Sequence, residues 1–172
     1  AIDVSRPFPL LASLSLNLAL LLEPVPDEAV PRLPLGMGGP EPRLAIVQVP
    51  PGLARLVRVM DPKAVTFVLL EDIIRAHLPQ LFPGQPICDV AAIRLSRDAE
   101  LELDDEGGRT HLELVEREIR RRRRSDVVRL EIEASASADL TAVLVQQLDL
   151  DTDDVYALAG PLDMRVLMGL VE

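Results

Sequence analysis

His77 and His111 are the two residues of this chain able to pass a proton near neutral pH. Neither stands beside a serine or cysteine in a recognisable nucleophile motif, so both are read as structural or surface residues. His77 falls one turn after Ile73, at the edge of an apolar stripe, and His111 falls in a first helical turn close to Glu113. The glycine cluster Gly36-Met37-Gly38-Gly39 is followed by Pro40 and Glu41. A phosphate-binding loop needs a lysine and a hydroxyl after its last glycine, at the mouth of a helix. The sole lysine, Lys63, lies far along the chain, so the cluster reads as a loop. Asp149, Asp151 and Asp153 have the alternate spacing that opens a calcium loop. Such a loop then needs glycine at its sixth place and glutamate at its twelfth. Asp154 and Gly160 stand there instead, which leaves an acidic turn between a helix and a strand.

Positive charge is concentrated in one stretch, Arg120 to Arg124, with Arg117 before it and Arg129 after. One reading is the solvated end of a helix, where arginine complements the negative pole of the dipole. The other is a weak contact for an inorganic polyanion. Successive helical residues point about 100° apart, so the five cannot share one face. Arg117 with Arg121, and Arg120 with Arg124, are each one turn apart, which makes those four the candidate contact. Arg122 and Arg123 fall under the apolar stripe of Val115 and Ile119.

The elements that must position these residues follow from periodicity. Ser13 to Glu23 alternates, with Leu14, Leu16, Leu18, Leu20 and Leu22 on one side, which predicts a strand with one buried face. Residues 24–42 hold six prolines and three glycines and read as a loop. Leu44–Val49, Leu53–Val59 and Val65–Leu69 read as strands. The last runs into an amphipathic helix with Ile73, Ile74, Leu78 and Leu81 inward and Glu71 and Asp72 in its first turn. Pro79 lies inside that pattern and predicts a break or kink near His77, and Pro83-Gly84 ends the helix.

Cys88–Arg97 reads as a further strand, and Asp98–Gly108 as an acidic connection. Thr110-His111-Leu112-Glu113 has the capping-box pattern and opens a helix burying Leu112, Val115 and Ile119. Val127–Glu133 alternates, with Val128, Leu130 and Ile132 on one side and Arg129, Glu131 and Glu133 on the other. Ser137 caps a helix with Leu140, Val143, Leu144 and Leu148 on one face. Val155–Leu158 is a last short strand, and Gly160-Pro161 starts a final helix with Leu162, Val166, Leu167 and Leu170 inward. The class is α+β: a mixed, mainly antiparallel sheet with three or four packed helices.

At 172 residues and 48% apolar the chain suits one domain with a real core, and 2% aromatic content makes that core aliphatic. A net charge of −10, from 28 acidic and 18 basic residues, argues against general nucleic-acid binding. One cysteine, Cys88, cannot form an internal disulfide, which fits a reducing compartment. No apolar run approaches the roughly 20 residues that span a bilayer, and the first residues lack a basic leader. A cytoplasmic domain, cut from a longer protein, is expected.

Several blocks, in order, resemble the middle or "head" domain of bacterial polyphosphate kinase. They are Arg6-Pro-Phe-Pro-Leu-Leu-Ala12 with Ser15-Leu-Asn-Leu18, then Phe67 to Gly84, Arg94 to Leu103, Arg121 to Ala134, and Asp153 to Leu162. The resemblance implies that 1–172 is that head domain, with a supporting and dimerising role that helps frame the tunnel region. It implies a parent enzyme that moves the terminal phosphate of ATP onto polyphosphate, reversibly, through a phosphohistidine and with magnesium. That histidine sits in a separate C-terminal domain with a lysine two places later. His77 is followed by Leu78 and Pro79, and His111 by Leu112 and Glu113, so neither matches. No catalytic, cofactor-binding or metal residue is therefore expected in this chain. The implied partners are the other domains of the same polypeptide, a second copy of the enzyme, and polyphosphate. The rival reading is a free-standing binding or scaffold domain of the same fold.

Overall fold

The structure, a computed structural model, describes residues 8–23, 43–60, 63–98 and 127–170. Its strands are β1 (Leu16–Leu22), β2 (Arg43–Gln48), β3 (Leu56–Met60), β4 (Val65–Leu69), β5 (Ile87–Arg97), β6 (Val127–Glu133) and β7 (Val155–Leu158). Two α-helices accompany them, α1 (Leu70–Leu81) and α2 (Ala138–Leu148). Five strands form one sheet in the order β2-β1-β5-β6-β7, while β3 and β4 form a separate hairpin. All pairings are antiparallel except β6 with β7. The mixed, mainly antiparallel α+β class expected from the sequence is what the chain adopts.

Each face of the large sheet buries a core. On one face Leu140 and Leu144 of α2 meet Ala19, Leu21, Ala91, Ile93, Leu95, Leu130 and Ile132. On the other, Leu78 of α1 meets Leu18, Leu20, Leu22, Ala92 and Leu162. β1 is therefore buried on both faces, not on one as its leucine alternation predicts. It lies inside the sheet between β2 and β5 and is covered on both sides, so it is apolar except for buried Asn17, whose Nδ2 donates to the Ser15 carbonyl at 3.0 Å. Leu14 falls before the strand, exposed and left-handed at φ 62°, and its N–H donates to the Leu95 carbonyl at 2.7 Å.

Three further expectations change. α1 runs unbroken through Pro79. The proline removes the N–H that would reach the Arg75 carbonyl, but the helix closes beyond it through Phe82 N–H to the Leu78 carbonyl at 3.1 Å. Leu81 is exposed, and Phe82 packs on the core in its place. In β6 the pairing steps from Ser96–Arg129 to Arg97–Val127, so a bulge inserts Val128. Val127 is consequently the buried residue and Val128 the exposed one.

No α-helix starts at Pro161. A 3-10 helix spans Met164–Leu170 instead, after Gly160 at φ 105° and Asp163 at φ 53°. A non-glycine residue in the left-handed region interrupts a helix there.

α2 matches its expected start, since Ser137 Oγ accepts the Leu140 N–H at 3.1 Å. It ends on Asp149 at φ 55°, followed by a 3-10 turn at Thr152–Asp154, the acidic turn read from the sequence. The 24–42 loop, the capping-box helix and Arg117 to Arg124 lie outside the described residues.

Candidate functional site

α1 meets the end of the hairpin and the segment after β7 at a cleft of about 240 Å³, lined by Leu69, Glu71, Asp72, Arg75, Glu133 and Leu162 among others. Charge gathers there because α1 turns its first two turns toward the polar face of β5 and β6. Even-numbered residues of β5 and odd-numbered residues of β6 point to this side, as the burial of Ala92 on one and Leu130 on the opposite face requires. The sheet thus presents Arg94, Arg129, Glu131 and Glu133 to it.

Arg55, just before β3, organises one wall. Its Nε lies 3.0 Å from each carboxylate oxygen of Glu71, and a terminal nitrogen completes the pair. The same guanidinium donates to the carbonyls of Leu162 at 2.6 Å and Asp163 at 2.9 Å. The Asp163 carbonyl also accepts the Val166 N–H at 3.4 Å, so Arg55 sits on the entry to the 3-10 helix. Glu71 is buried, 3% exposed, and the fork geometry of arginine is what allows a carboxylate to stay there.

Arg75 and Glu133 form the other wall, with N–O 2.5 Å. The same Glu133 oxygen accepts the Ala92 N–H at 3.0 Å, satisfying a backbone donor just beyond the β5–β6 ladder. Arg94 pairs with Glu131 at 3.3 Å, and Arg129 pairs with Glu131 at 3.3 Å while lying 3.9 Å from the Tyr156 ring centre. Burial alone would raise the Asp89 carboxyl. Hydrogen bonds from Ser137 and Val90, with Arg75 nearby, outweigh it and hold that group below the ordinary carboxylate value. Asp163 is lowered to about 2, first by its hydrogen bonds from Arg165 and then, against burial, by the charges of Arg94 and Arg165.

Arg55, Arg75, Arg94 and Arg129 thus each meet a carboxylate, Arg94 and Arg129 sharing Glu131, while Nε of Arg75, Arg94 and Arg129 is buried without a hydrogen-bond partner among the described residues. Among the described residues no three His, Cys, Asp or Glu side chains converge as a metal site requires. His77 is exposed at the far end of α1, with Nδ1 2.8 Å from the Ile73 carbonyl, and touches none of this cluster. The candidate arginines Arg117, Arg120, Arg121 and Arg124, like His111, lie outside the described residues. Sequence reasoning missed Arg55 and saw Glu71 as a dipole partner alone. A lone arginine ahead of an apolar strand gives no sign of a partner sixteen residues on.

A family model described as "Polyphosphate kinase middle domain" matches residues 1–170. The chain is 35% identical over 168 residues to a polyphosphate kinase of Streptomyces coelicolor, covering 97% of this chain and 20% of that protein. It is 37% identical over 167 residues to one of Exiguobacterium sibiricum, covering 95% and 22%. It therefore spans about a fifth of the length of these curated relatives. The crystal structure of polyphosphate kinase from Porphyromonas gingivalis shares the fold, with a TM-score of 0.64 at 20% identity over 96% of this chain and 21% of that one.

Proposed function

This chain belongs to the polyphosphate kinase family as its middle domain, and from that premise we propose that it is the non-catalytic framework of a larger phosphotransferase. The parent enzyme transfers the terminal phosphate of ATP to a polyphosphate chain through a phosphohistidine carried on another domain. Magnesium and ATP act there, outside this chain. The domain's own residues hold the geometry: Arg55 ties the hairpin, α1 and the C-terminal segment together, and Arg75 ties α1 to β6 through Glu133. Self-association of the parent and residence in the cytoplasm belong to the same proposal. So does a weak polyphosphate contact at Arg117, Arg120, Arg121 and Arg124.

The observation that carries the reading is the internal pairing of the cleft arginines within a chain matched end to end by the middle-domain model. Cations committed to carboxylates stiffen a domain and leave little to grip a transferring phosphoryl group. Incubation of this chain by itself with γ-labelled ATP and polyphosphate tests it. No label should enter the protein and no polymer should form. Stoichiometric phosphate on His77 or His111 would contradict the proposal.

A further inference from the structure

The β3–β4 hairpin carries apolar side chains on both faces. Cross-strand pairing sets Leu56 against Leu69 and Met60 against Val65, with Phe67 between them, on one face. Val57 pairs with Val68 on the other, where Val59 follows. Toward the end away from α1 these residues lie open: Met60 is 99% exposed, Val65 66% and Phe67 40%. A two-stranded ribbon is marginal in water unless something packs on it. The base of the ribbon is anchored through Leu70 N–H to the Arg55 carbonyl at 2.8 Å and through the Arg55 clamp. The five-residue strands reach roughly 15 Å from that base.

We infer that the hairpin is a docking arm whose occupant is an adjoining domain of the same longer polypeptide. This rests on the reading of the chain as a middle domain. Two observations select that occupant. The chain accounts for about a fifth of its curated relatives, so most of such a polypeptide lies beyond it. The Arg55 clamp on Leu162 and Asp163 starts the last described segment, Met164–Leu170, beside the base of the arm, and Met164 and Met168 are exposed on it. A free partner or second copy is a poorer fit. The exposed apolar side chains of one hairpin offer on the order of a few hundred Å², far less than the roughly 1,200 Å² of a stable separate interface. A tethered domain needs less, because the linker supplies a high effective concentration.

Amide hydrogen exchange on the full-length polyphosphate kinase carrying this chain, compared with the chain by itself, tests the inference. Residues 56–60 and 65–69 should exchange at least about tenfold more slowly in the full-length protein, independently of its concentration. Met60→Glu with Val65→Glu should abolish that protection while leaving β1 and β5 protected as before. Equal exchange in the two proteins would overturn the proposal. So would protection already present in the isolated chain, which would place the occupant within it, or protection lost on dilution, which would mark a second copy. Polyphosphate synthesis assayed on the same full-length sample separates this outcome from the functional reading. An inactive enzyme with a protected arm would sink that reading and leave the arm.

Discussion

Arg55 and Glu71 meet in a two-pronged ion pair, and the same arginine holds the backbone carbonyls of Leu162 and Asp163 at 2.6 and 2.9 Å. One side chain thereby joins the hairpin, the start of α1 and the C-terminal segment. Glu71→Ala leaves a largely buried guanidinium without its carboxylate, and the expected cost is about 3 kcal/mol. Replacing both partners, as Arg55→Leu with Glu71→Leu, should recover part of that loss. It cannot recover all, since the Leu162 carbonyl loses its Arg55 donor and the Asp163 carbonyl keeps only the Val166 N–H at 3.4 Å. Urea denaturation reads both. A single-variant loss under about 1 kcal/mol would show that the pair is not an anchor.

The bulge in β6 separates two adjacent valines. Val127→Ala should destabilise by about 1 kcal/mol or more, as removal of buried methyl groups does. Val128→Thr should stay within about 0.5 kcal/mol of wild type. The reverse ranking in thermal melts would restore the plain alternation read from the sequence.

Acid should weaken the fold through Asp163 and Asp89. Both carboxyls titrate lower in the folded chain than the ordinary value of 3.8, Asp163 at about 2. Each therefore stabilises the fold above pH 3.8, and that contribution disappears as pH falls toward 2. Asp163→Asn should be less stable than wild type at pH 6 and equal to it near pH 2. A stability difference that persists unchanged at pH 2 would contradict the assignment.

Polyphosphate contact at the arginine run should be weak. Neutralising about three phosphates gives a salt slope on the order of −2 for a single-stranded polyanion. The net charge of −10 opposes even that at long range. Titration at two salt concentrations, with wild type and an Arg120→Ala, Arg121→Ala, Arg124→Ala variant, should show binding at low salt that fades near 0.15 M. Tight binding at 0.15 M, lost in the variant, would make the run a substrate site.

The large elements were legible because their signals are local. Ser137 announces α2, and alternation marks β1 and β6. What depends on long-range partners was not legible. β1 reads as one-faced because the leucine alternation cannot reveal a second core behind Ala19 and Leu21. Val128 looks inward until the pairing with β5 shows the bulge. The final α-helix gives way to a 3-10 helix where Asp163 turns left-handed, beside Arg55 from more than a hundred residues earlier in sequence. The charged cleft was hidden for the same reason, since Arg75 and Glu133 are 58 residues apart.

The most direct measurement is polyphosphate formation from ATP by a chimera in which this chain replaces the matching middle fifth of the Streptomyces coelicolor enzyme. A framework domain of the same family should support polymer synthesis within about tenfold of the parent, while deletion of the segment abolishes it and the isolated chain makes none. A chimera that folds yet forms no polymer, or an isolated chain that forms polymer by itself, would contradict the account.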